Sequence, residues 1–242
     1  MSSSEYITLK EFSSGHGWHA KVLSYSKNRM HIFEKITKDQ AKNLAAKLGG
    51  TVEKFDLYNT EWTLSFEPLP NLKILFLLVK DEEFGSEFYV FYSKTVVDIY
   101  PAEEVIIFSI VFISLLAQEA EALWTKKQRL GAMILEKHPI DQKKINVVQQ
   151  IQPDIAQQVA SNLGCEFKEI SGGWNITFTP IPDFPVTYEV TASGVQMRYD
   201  EEKVLWTPGV VYAFKWLYLN AIIREARKFN ADLPQISFSG LI

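Results

Sequence analysis

Trp62-Thr-Leu-Ser-Phe-Glu-Pro-Leu-Pro70 and Trp174-Asn-Ile-Thr-Phe-Thr-Pro-Ile-Pro182 are one phrase written twice. Both read Trp-x-[Leu/Ile]-[Ser/Thr]-Phe-x-Pro-[Leu/Ile]-Pro, and agreement at this density marks an internal repeat. Each copy alternates as a strand does: Trp174, Ile176 and Phe178 point one way, and Asn175, Thr177 and Thr179 the other. Pro180 and Pro182 withhold ladder donors and are expected to stop the strand.

The match spreads in both directions. Upstream, Ile36–Gly49 lies against Ile151–Gly164, with Asp39 and Asp154, Ala41 and Ala156, Leu48 and Leu163, and Gly49 and Gly164 coinciding. Apolar residues at helical spacing (Ala41, Leu44, Ala45, Leu48; Ile155, Val159, Leu163) predict a helix in each, ended by a glycine. Thr37 is the expected N-cap of the first, and Pro153 suits the first turn of the second. His31–Glu34 and Asn146–Gln149 read as short extended segments before these helices. Downstream, Ser171-Gly172-Gly173 signals a hairpin turn. Val186, Tyr188 and Val190 then face Val195, Met197 and Tyr199 across Ser193-Gly194. Leu116–Ala120 matches Ile222–Ala226 within a long closing helix, which Pro208 opens in the second copy.

The expected fold class is therefore α+β: a tandem duplication of a β-α-β(3-4)-α unit whose antiparallel sheets are covered by helices. One arrangement open to such a chain joins the two sheets with pseudo-twofold symmetry. The expected organisation is an N-terminal extension over 1–29 (strand or hairpin), repeat 1 over 30–125 and a basic helical connector over 126–144. Repeat 2 follows over 145–230, with a tail over 231–242. In topology such a duplicated unit resembles the saddle-shaped proteins that join two repeats into one sheet, the TATA-binding protein family. None of that family's motifs occurs here and the charge balance opposes its DNA chemistry, so the resemblance implies no function.

The chain has 242 residues, 47% hydrophobic and 22% charged, with a net charge of -4, which excludes a disordered chain or a disulfide scaffold. Mild acidity argues against wholesale nucleic-acid binding. The lone Cys165 makes no internal disulfide, and Met1-Ser-Ser-Ser-Glu5 lacks the pattern of a signal peptide. Val105–Ala117 is apolar except for Ser109 and Ser114, but its 13 residues fall short of the roughly 20 a membrane span needs. It reads as a buried helix, and the cytoplasm is the expected compartment.

The copies differ in how they meet water. Ile74–Val79 and Phe88–Tyr92 are apolar on both faces, whereas the second copy interleaves Thr187, Glu189, Thr191, Gln196, Arg198 and Asp200. A sheet with two apolar faces must be covered on both, by the segment 1–30, by the other repeat or by a second chain. Extra burial on the order of 300 Å² would supply several kcal/mol. This face, with Leu75, Leu77, Tyr89 and Phe91, is the candidate interaction surface. The leading expectation is a non-catalytic binding or assembly module with a protein partner or a second copy.

Two alternatives remain open. One is an enzyme or small-ligand binder with a pocket between the repeats, lined by His16, His19, Arg198 and Tyr199. The other is polyanion binding through Lys126, Lys127, Arg129, Lys143 and Lys144. No metal or cofactor is expected: His16-Gly17-Trp18-His19 offers two imidazoles without HExxH or CxxC, and reads as a turn entering a strand over 18–23. His31 and His138 read as structural, Cys165 as a buried small residue, and Asp81-Glu82-Glu83 and Asp200-Glu201-Glu202 as solvated loop tips. Trp62 and Trp174 read as core anchors.

Overall fold

The computed structural model describes residues 5–13, 15–55, 59–81, 83, 85–125, 142–200 and 208–234. The chain is α+β, with two antiparallel sheets, and divides into two compact units, Met1–Gln128 and Arg129–Ile242.

Unit 1 begins with β1 (Tyr6–Ile7), a 3-10 turn (Leu9–Glu11), α1 (Gly15–Lys27), α2 (Met30–Phe33) and α3 (Lys38–Lys47). There follow β2 (Thr51–Val52), β3 (Thr60–Phe66), β4 (Ile74–Asp81), β5 (Gly85–Ser93), α4 (Val96–Ile99) and the long α5 (Ala102–Trp124). Its sheet runs β1-β5-β4-β3-β2. Helix α3 starts at Thr37, the N-cap the sequence predicts, and Gln40 completes a capping box that the sequence reading did not name. Thr37 Oγ1 accepts from the Gln40 amide at 3.3 Å and Gln40 Oε1 from the Thr37 amide at 3.0 Å. It buries Ala41, Leu44 and Ala45 and hands over to Gly49, whose φ of 77° is cheap only for glycine.

The inner face of the sheet carries Trp62, Leu64, Phe66, Phe76, Leu78, Phe88, Val90 and Tyr92, all buried. Helix α5 supplies the matching layer, including Phe108, Phe112, Leu115 and Leu116. Phe66 and Phe112 lie 4.6 Å apart. Among the described residues α5 is the one helix long and apolar enough to cross a membrane, but most of its apolar stretch is buried here, as in a core helix. Its serines close polar accounts inside the core. Ser109 Oγ donates to the Val105 carbonyl at 2.8 Å and thereby accepts from the Tyr92 hydroxyl at 2.8 Å.

Unit 2 contains α6 (Gln142–Val148), α7 (Pro153–Asn162), β6 (Glu166–Ile170), β7 (Gly173–Ile181), β8 (Phe184–Thr191), β9 (Gly194–Tyr199) and α8 (Pro208–Phe229). Its sheet is a meander, β6-β7-β8-β9. The register matches the alternation read from sequence: Val186 faces Tyr199, Tyr188 faces Met197 and Val190 faces Val195. Gly173 is needed because a Cβ there would lie 1.8 Å from the Val190 carbonyl oxygen.

Several expectations are corrected. Among the described residues the strands form two sheets, one of five strands and one of four, and no pairing joins them into one. His31–Glu34 and Asn146–Gln149 are not extended: they fall in or at the ends of α2 and α6. Each buries an adjacent apolar pair, Ile32-Phe33 and Val147-Val148, which a helical turn accommodates on one side. Residues 18–23 belong to helix α1 and not to a strand, so the described part of 1–29 holds one short strand, β1, and is otherwise mainly helical. Strand β7 runs through Pro180 to Ile181, at the cost of a register shift between Phe178 and Ile181. The loop tips at Glu82, Glu201 and Glu202, and most of the connector and of the C-terminal tail, lie outside the described residues.

Candidate interaction face

Strand pairing places two rungs on the outer face of the first sheet. Thr63 faces Leu77, which faces Tyr89; Ser65 faces Leu75, which faces Phe91. Leu75 and Leu77 are 0% exposed. A thin aromatic roof closes over them. Phe55 follows β2 and stacks on Phe91 at 5.4 Å, and Tyr6 meets Phe55 edge-on at 5.5 Å. Tyr89 continues the row, stacked on Phe91 at 6.0 Å. Tyr6 is delivered by β1, which pairs along the edge of β5 with Tyr6 opposite Ser93.

Of the covers anticipated, the N-terminal segment thus contributes Tyr6, while Phe55 went unnoticed in the sequence. Leu75 and Leu77 are roofed within their own unit and present no contact surface of their own. Tyr6, Tyr89 and Phe91 stand half-buried above them.

Polar groups frame this row. Lys73 binds Glu53 at 2.7 Å; burial pulls the lysine down, but the Glu53 carboxylate holds it above its ordinary value. The Tyr89 hydroxyl donates to Glu87, which, with some burial, pushes the phenol up to about 12. Thr63 is 2% exposed, and its hydroxyl has no hydrogen-bond partner among the described residues.

The corresponding face of the second sheet is polar. Thr177 faces Thr187 with their hydroxyls 2.8 Å apart, and Arg198 reaches Glu189 at 2.9 Å.

The remaining candidates are scattered. His16 and His19 lie on α1 in unit 1, whereas Arg198 and Tyr199 lie on β9 in unit 2. His19 is held below its ordinary value by burial, then by Lys10 and His16, against the pull of Glu11. Among the described residues no three His, Cys, Asp or Glu side chains gather as a metal site. Arg198 is engaged by Glu189, and the Tyr199 ring lies 6.1 Å from Phe184.

Lys126, Lys127 and Arg129 lie outside the described residues, and Lys143 is exposed on α6. Lys144 is corrected outright. It is 1% exposed, donates to Asn220 Oδ1 at 2.8 Å and sits 3.5 Å from the Trp216 ring centre, so it faces α8 and not a polyanion. Burial raises the Cys165 thiol to about 12, the opposite of what a reactive cysteine needs.

One feature of both units escaped the sequence reading. Glu119 on α5 is buried and takes the Lys47 ammonium from the end of α3. Glu225 on α8 is buried and accepts from the Asn162 amide, at the end of α7, at 2.8 Å. Lys47 and Asn162 are matched positions, as are Glu119 and Glu225. The signal was the shared Glu-Ala in Leu116–Ala120 and Ile222–Ala226, an acidic residue set among apolar ones.

A family model described as a domain of unknown function (DUF3786) matches residues 1–114, just under half of the chain. The matched stretch runs from the start of unit 1 into α5 and takes in the N-terminal segment, β1 included. No curated protein and no solved structure matches the chain.

Proposed function

We propose that this chain is a cytoplasmic binding or assembly module built from two copies of one ancestral unit, working through the outer face of its first sheet. The observation that carries the reading is the row Tyr6–Phe55–Phe91–Tyr89, spread over a sheet face that is Thr177, Thr187, Glu189 and Arg198 in the second unit. Half-exposed aromatic rings give large contact area for little loss of side-chain freedom, which is why Tyr and Phe are favoured at interfaces. Duplication is supported by the shared order of short helix, helix, four-stranded meander and long helix, and by the matched buried carboxylates.

The test places a photocrosslinking phenylalanine analogue at Phe91, or at Thr187 as the control face, in the organism of origin. Crosslinks to another chain from Phe91 and not from Thr187 are expected. Equal yields from the two positions, or none from Phe91, refute the reading.

A further inference from the structure

Resting on the reading of the first sheet as an interaction face, we infer that β1 is a latch on that face. It occupies in cis the place that an extended segment of the partner, carrying an aromatic side chain, takes in trans.

Strand β1 is two residues long and pairs with β5 alone, whereas β4 and β5 run for eight and nine residues. The Lys94 amide donates to the Glu5 carbonyl at 3.0 Å, Tyr6 lies opposite Ser93, and Ile7 lies opposite Tyr92. The Tyr6 ring meets Phe55 edge-on, and its hydroxyl shares the Lys73 ammonium with Glu53. So short a strand opens at far lower cost than the sheet it borders. The meander does not need it, since among the described residues the second sheet is the four-strand meander alone. A hinge is also in place. The chain turns away from β5 after Ile7 at a capping box made by Thr8 and Glu11, and buried Leu9 and Phe12 anchor it beyond. That turn is complete without β1, so residues 5–7 can swing while the anchor stays.

Release of β1 uncovers Phe55 and frees the backbone groups at Tyr92 and Lys94. A sheet edge of this kind takes an extended peptide as one more strand, with main-chain hydrogen bonds giving affinity and alternate side chains giving specificity. Strand β1 itself shows what fits. An aromatic ring lies on the outer face beside Phe55, with its hydroxyl on Lys73, and the next residue, aliphatic Ile7, turns to the other face. While the latch is closed, the apparent affinity for such a partner falls in proportion to the fraction of chains that are open.

Fluorescence polarisation of a labelled peptide, Glu5–Glu11 of this chain, tests the latch. In the full chain Ile7→Pro withdraws the Ile7 amide from the pair with Tyr92 and leaves every ring of the aromatic row in place. The peptide is expected to bind this variant at least roughly tenfold more tightly than wild type, and to lose that binding when it carries Tyr6→Ser. Amide exchange across 74–81 that matches wild type shows the sheet intact, and Tyr6→Ser in the full chain opens the latch by a second route. Equal affinity for variants and wild type, no binding to any of them, or indifference to Tyr6→Ser in the peptide overturns the inference. With the photocrosslinker at Phe91, Ile7→Pro is expected to raise the yield of crosslinks to another chain. Equal yields with and without Ile7→Pro refute the latch alone; no crosslink from either chain refutes the proposed function, and the latch with it.

Discussion

Leu77→Ala separates a sheet face roofed within its own unit from one that waits for a second chain. Leu77 is 0% exposed beneath Phe55, Tyr89 and their neighbours, so the substitution removes apolar atoms from a closed layer and leaves a void. Truncating a buried leucine to alanine costs about 2 to 5 kcal/mol, and a value in the lower half, about 3 kcal/mol, applies here because the roof is one ring thick and can settle. The matched position in unit 2 is Glu189, whose partner Arg198 is 61% exposed; Glu189→Ala is expected to cost about 0 to 1 kcal/mol. The assay is hydrogen exchange in rising urea, read separately for 74–81 and 184–191, so that each unit reports its own stability. If a second chain covered Leu77, the cost would grow with protein concentration, since binding to the folded state adds stability by mass action. A cost below about 1 kcal/mol, or one that rises with concentration, refutes the roof.

Three further outcomes are expected. Glu119→Ala and Glu225→Ala each remove a buried carboxylate that fastens a short helix to a long one, at about 1 to 3 kcal/mol by urea unfolding; Lys47 is half-exposed, so the Glu119 effect is the smaller. Lys144→Met keeps the volume, removes a buried charge and leaves heparin retention at every salt concentration unchanged; a lower retention would return this lysine to the surface. Cys165, Tyr92, Tyr188 and Tyr218 all have folded pKa values raised by burial. The unfolded chain therefore releases these protons first, and stability is full below their ordinary values and falls as pH climbs past 9.0 for the thiol and 10.0 for the phenols. Unfolding midpoints that are flat to pH 11 would contradict this burial.

The sheets were more legible than the short helices. In β8 and β9 every second residue is apolar, and only one register puts Val186, Tyr188 and Val190 inside, so turn and pairing followed from the sequence. The N-cap at Thr37 was likewise local chemistry, and the capping box it forms with Gln40 is complete within four residues. Helices α1, α2 and α6 were missed because their sequences carry little periodic signal. Gly15 and Gly17 open α1, and Val147-Val148 in α6 are strand formers held helical by packing on their long-helix neighbour. Of the candidate face, the double-sided hydrophobicity was visible, but its roof was not. Tyr6 and Phe55 come from opposite flanks of α3, and no sequence pattern announces that they meet.

The contrast between the units bears on why the roof exists. Unit 2 has the same meander and the same long helix with Thr187 and Glu189 where unit 1 has Leu75 and Leu77. The inner face, packed on the unit's own helices, is what the fold requires, and there both copies keep a tryptophan, a buried tyrosine and a buried glutamate. The outer apolar layer is not required, since a polar one serves the same backbone. Placing leucines there obliges the chain to recruit Phe55 and Tyr6 as cover, and this leaves Tyr6, Tyr89 and Phe91 partly in water. A layer that the fold can do without, and that ends in half-exposed rings, is what the proposed contact with another molecule would account for.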